Sequence, residues 1–76
     1  MGVLEDLADG LAKDTIEEAD RLGREDLITE VAKQLGATST TMEEAYLTSI
    51  RMRLAEKRAR QFLENRVRQV ENDDDS

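Results

Sequence analysis

A chain of 76 residues with no Cys, no His and no Pro excludes disulfide scaffolds, thiolate or imidazole metal centres, and the commonest general base and strongest nucleophile of enzymes. A domain of this size buries only about 60% of the surface its unfolded chain exposes. With disulfides and thiolate zinc unavailable, self-association is the reinforcement left to it. The net charge of −7 is unevenly placed: residues 1–50 carry 12 acidic and 4 basic side chains, residues 51–68 carry 7 basic and 2 acidic, and residues 69–76 carry 4 acidic.

Ala, Leu, Glu, Lys, Arg and Gln dominate the long segments, which favours helix. The first helix is predicted over about residues 3–22. Leu4, Leu7, Ala8, Leu11, Ala19 and Leu22 fall within one stripe at the helical period. Thr15 interrupts that stripe. Asp14 and Thr15, followed at three residues by Glu17 and Glu18, form an internal capping pattern at which a kink is allowed. Gly23 then fits a C-terminal stop, since Gly takes the left-handed conformation without steric cost.

The second helix is predicted over about residues 24–35. Glu25 and Asp26 suit the positive end of its dipole. Leu27, Ile28, Val31, Ala32 and Leu35 form its buried face, and Gly36 is read as its stop for the same reason as Gly23.

The third helix is predicted over about residues 41–70, opened by a capping box of Thr40 with Glu43 or Thr41 with Glu44. No stop signal occurs before about Glu71. Its first half is apolar on two sides, with Tyr46, Leu47, Ile50 and Leu54 on one and Ala45 and Met52 on the other. Its second half has a single apolar stripe of Ala55, Ala59, Phe62, Leu63, Val67 and Val70. Arg53, Lys57, Arg58, Arg60 and Arg68 form a basic surface on the opposite side. Two shorter helices cannot cover the stripe around Phe62, and a second copy of the chain is the simplest cover. Residues 71–76 are expected to be a disordered acidic tail. The echo between "TIEEAD" at 15 and "TMEEAY" at 41 reads as two helix starts produced by the same capping rule.

Between the second and third helices, Val31, Ala32, Leu35, Gly36, Ala37, Met42 and Ala45 have the spacing of packing and turn positions. This stretch resembles the helix-turn-helix motif of DNA-binding proteins over about a quarter of the chain. The resemblance implies that Thr38, Ser39, Thr40, Glu43, Glu44 and Leu47 face the major groove. The two carboxylates depart from that pattern, because they would approach a groove lined by phosphates. Both also serve as capping residues.

Catalysis has no candidate residues. Ser39, Thr48 and Ser49 have no base spaced to activate them. The adjacent carboxylates Glu17 with Glu18 and Glu43 with Glu44 point about 100° apart on a helix and do not converge. A metal site would need carboxylates alone, which suits only hard cations, and no cofactor motif is present. There is no signal-peptide pattern and no apolar run near the roughly 18 residues of a membrane span.

The expectation is therefore an all-α, three-helix bundle over residues 1–70 with a long C-terminal helix and a helix-turn-helix-like corner, working in the cytoplasm. It is expected to be a non-enzymatic adaptor or regulator that forms a homodimer and binds another protein with an acidic surface. Two alternatives stand beside it. One is a transcriptional regulator that contacts nucleic acid through residues 27–47, with Thr38, Ser39 and Thr40 at the groove. The other is an acidic, antitoxin-like or anti-regulator protein that masks a basic surface with its first helix.

Overall fold

A computed structural model describes residues 2–74 as three α-helices: α1 (Val3–Leu22), α2 (Asp26–Gly36) and α3 (Thr40–Asp74). α1 and α2 are joined at Gly23, whose φ of +67° is the left-handed stop expected from its sequence position. The Arg24 N–H closes that turn on the Ala19 carbonyl at 2.9 Å.

α1 does not kink at Asp14. Thr15 is buried, and its hydroxyl donates back to the Leu11 carbonyl at 2.8 Å. The polar group is satisfied inside the helix, which is continuous from Val3 to Leu22. "TIEEAD" is accordingly mid-helix rather than a helix start. The buried line of α1 is Ala8, Ala12, Thr15 and Ala19, with Leu4, Leu11 and Ile16 half-buried beside it. Leu7 and Leu22, placed by periodicity on the inner stripe, are exposed. Small residues at the centre let α1 approach closely, so the seam needs no large side chain there.

α2 begins two residues later than expected and includes Gly36. That glycine is helical and not left-handed; Ala37 after it is also right-handed, at φ −65°. It sits close under Glu43 instead: a Cβ there would lie 2.7 Å from the Glu43 Oε1, the far end of a flexible side chain. α3 is capped one residue earlier than the sequence indicates. Ser39 Oγ accepts the Met42 N–H at 3.1 Å, and Thr40 is the first helical residue.

The core is Ala8, Ala12, Ala32, Tyr46 and Ile50, with Leu11, Ile16, Ile28, Val31, Leu35, Met42, Ala45, Leu47 and Leu54 packed around it. Gly36 at the end of α2 meets Glu43, whereas Glu25 and Ile28 at its start share a groove with Leu54, Lys57 and Gln61. α2 therefore runs back along the first half of α3, and α1 lies parallel to α3. Met52, on the second apolar side of that first half, is 68% exposed and borders only an open groove with α1.

α3 continues to Asp74, so residues 71–74 are helical where a disordered tail was expected; residues 75 and 76 lie outside the described residues. No Pro or Gly interrupts the segment, and each added residue of an existing helix gains one backbone hydrogen bond. At 35 residues, α3 is about 52 Å long and sets the 58 Å long axis of the molecule. The radius of gyration of 16.4 Å exceeds the roughly 11 Å of a compact domain of this length, because the end of α3 stands clear of the bundle.

Candidate interaction surface

The side chains that carry the candidate surface all lie on α3. Gln61 of α3 lines a groove with residues of α1 and α2. Beyond it, every residue from Phe62 to Asp73 is exposed. Phe62 is 64% exposed, and Leu63, Val67 and Val70 are also open to solvent. Ala55 and Ala59 are exposed too, since they face outward from the bundle. The structure thus places all six residues of the sequence-predicted stripe on one continuous open face.

That face extends further towards the helix start than the sequence reading placed it. At about 100° per residue, the exposed Met52, Ala55, Ala59, Phe62, Leu63, Val67 and Val70 and the half-buried Ala45, which also touches the core, occupy a sector about 140° wide. Its centre lies about 170° from the Tyr46, Ile50 and Leu54 side that enters the core. Met52 and Ala45 are the additions. Their signal was present as the second apolar side of the first half, but it reads equally as a seam for α1.

The basic surface divides into three parts. Arg53 makes a two-pronged pair with Asp9, at 2.8 and 2.7 Å, and Lys57 reaches Asp20 at 2.6 Å. These two clamp α3 to the acidic α1. The Arg53 guanidinium holds the Asp9 carboxyl below the usual carboxylate range. Arg60 pairs within α3, with Glu56 one turn back. Arg51, Arg58 and Arg68 make no ion pair among the described residues. Arg66 lies within the apolar face, its guanidinium 5.5 Å from the Phe62 ring centroid, where a cation is attracted by the ring's electron-rich face.

Beside the outward face, between the first turns of α1 and residues 45–56 of α3, lies an open groove of about 700 Å³. Ala45, Ser49 and Met52 line it from α3, and the acidic Glu5, Asp6 and Asp9 line it from α1.

The polar residues of the helix-turn-helix-like stretch are differently occupied. Thr38 donates its hydroxyl to the Leu35 carbonyl at 3.3 Å, and Ser39 is the cap of α3. Glu43 sits over Gly36, and Leu47 packs against the core. Thr40 and Glu44 are exposed. Among the described residues, no cluster of acidic side chains is arranged to hold a metal ion, and no helix is long and apolar enough to cross a membrane.

Compared with protein families, characterised proteins and solved structures, the chain has no match.

Proposed function

We propose that this chain is a small non-enzymatic, cytoplasmic interaction module that works as a homodimer, associating through the outward face of α3. The observation that carries this reading is the continuous exposure of Met52, Phe62, Leu63, Val67 and Val70 on one side of a single helix. The four towards the C-terminal end are open on this face, and Met52 meets α1 only across an open groove. Burying a large apolar side chain is worth roughly 1.5–3 kcal/mol, a large driving force for a domain of this size to leave unused. Sedimentation of the purified chain over a range of concentrations tests the reading: a dimer at micromolar concentration supports it, and a persistent monomer contradicts it.

An acidic protein partner fits Arg51, Arg58 and Arg68, three cations of α3 that make no ion pair among the described residues. DNA reading through residues 27–47 is less well supported. Thr38 and Ser39 are spent on local backbone groups, and the net charge of −7 opposes approach to a polyanion. The antitoxin-like alternative needs a free acidic face on α1, and Asp9 and Asp20 of that helix are already engaged by Arg53 and Lys57.

A further inference from the structure

The outward face of α3 carries information about how a second copy sits on it. Resting on the self-association proposed above, we infer that two copies pair antiparallel, each placing Leu63, Val67 and Val70 in the other's groove between α1 and α3.

Three features of the face point to this arrangement. The apolar face runs from Ala45 to Val70, about 38 Å along the helix. Its midpoint falls between Lys57 and Arg58, and the two small residues Ala55 and Ala59 bracket it. Small side chains at the crossing point let two helix axes approach closely, as larger ones would not. With the ends of the faces aligned head to tail, Ala45 of one copy lies opposite Val70 of the other, and Met52 lies opposite Leu63. The groove of about 700 Å³ lined by Ala45 and Met52 then receives the apolar end, whose Leu63, Val67 and Val70 are exposed in the single chain.

Charge selects the same direction. In a parallel pair each residue meets its own twin. Arg66, inside the apolar face, would confront a second Arg66, and Glu56 and Arg60 would each face a like charge at the rim. In the antiparallel pair the two Arg66 side chains lie far apart, each near the Thr48–Ser49 level of the other copy. Glu56 of one copy comes level with Arg60 of the other. These two side chains already pair along their own helix, so two copies form a four-membered network of alternating charge at the two-fold axis.

The chain has no Cys, which makes introduced thiols unambiguous probes. Met52 and Leu63 are exposed, so replacing them leaves the core untouched. Within one helix they are about 16 Å apart, too far for an internal disulfide. Under mild oxidation, Met52→Cys alone, Leu63→Cys alone and Val70→Cys alone are expected to stay non-covalent. The double variant Met52→Cys/Leu63→Cys is expected to form covalent dimers. A second pair, Ala45→Cys/Val70→Cys, is expected to do the same with Leu63 in place. Efficient cross-linking of Met52→Cys or Val70→Cys alone overturns the antiparallel arrangement and leaves self-association standing. A wild-type chain that sediments as a dimer while neither double variant cross-links also overturns it. A wild-type chain that stays monomeric overturns both the arrangement and the association it rests on.

Discussion

The Tyr46 hydroxyl donates to the Ile28 carbonyl oxygen at 2.9 Å, bridging α3 to the first turn of α2 through the core. Tyr46 is the only tyrosine, and it is fully buried. Its ring fills the space that the alanines of α1 leave open, and its polar tip finds a backbone acceptor. Tyr46→Phe keeps the packing and loses the bond, and is expected to cost about 1 kcal/mol in urea unfolding. Burial also raises the phenol above its ordinary value of 10.0. The neutral form is favoured in the fold, so this contribution is intact below pH 10 and is lost as pH rises through the folded value. With no Trp present, tyrosinate absorbance reports this one group. Its titration is expected to lag that of free tyrosine and to coincide with loss of helical circular dichroism.

The two inter-helix glycines separate by mechanism. Gly23 has φ +67° and open space around its Cβ position. Gly23→Ala forces a left-handed alanine and is expected to destabilise by about 1–2 kcal/mol. Gly36 is helical, and a Cβ there meets only the mobile carboxylate end of Glu43, at 2.7 Å. Glu43 swings away in Gly36→Ala, and the helix gains about 0.5–1 kcal/mol of propensity in exchange. Thermal melts are expected to show a clear fall for Gly23→Ala and little change for Gly36→Ala.

The position of the α3 cap gives a similarly sharp contrast. Ser39 holds the Met42 N–H, so Ser39→Ala is expected to cost about 1 kcal/mol. Thr40→Ala and Thr41→Ala, within the first turn, are expected to be nearly neutral. Chemical denaturation of the three variants reads the difference directly.

The turn into α2 is sensitive to acid. The Arg24 guanidinium, 2.6 Å from Asp26, lowers that carboxyl from 3.8 to about 2. The ionised form is favoured in the fold, so its stabilising effect is full above about pH 4 and disappears as pH falls towards 2. Asp9 is shifted in the same direction by Arg53. Asp26→Asn is expected to lower stability at neutral pH and to flatten the decline between pH 4 and 2 relative to the wild type.

Helix number, approximate bounds and the open stripe of α3 are legible in the sequence because each rests on a repeating pattern or a glycine. Leu7 and Leu22 were misplaced inward for a physical reason. Periodicity marks apolar residues, while the inner seam of α1 is built largely from alanine and one threonine, which carry little hydropathy signal. The Ser39 cap and the Gly36–Glu43 contact were hidden because neighbouring hydroxyls and glycines satisfy the same local rules, and only the path of the chain chooses among them. The reach of the outward face back to Met52 and Ala45 depends on which side of α3 its neighbours take, a tertiary fact with no local signature.

Sedimentation equilibrium of the wild-type chain beside Phe62→Ala/Leu63→Ala tests the central claim most directly. Both side chains are exposed in the single chain, so their removal leaves its fold intact and acts on association. The wild type is expected to show a reversible monomer–dimer equilibrium, and the double variant to shift towards monomer with a melting temperature that no longer rises with protein concentration. A wild-type chain that remains monomeric at high micromolar concentration, or a double variant that dimerises as well as the wild type, would contradict the account.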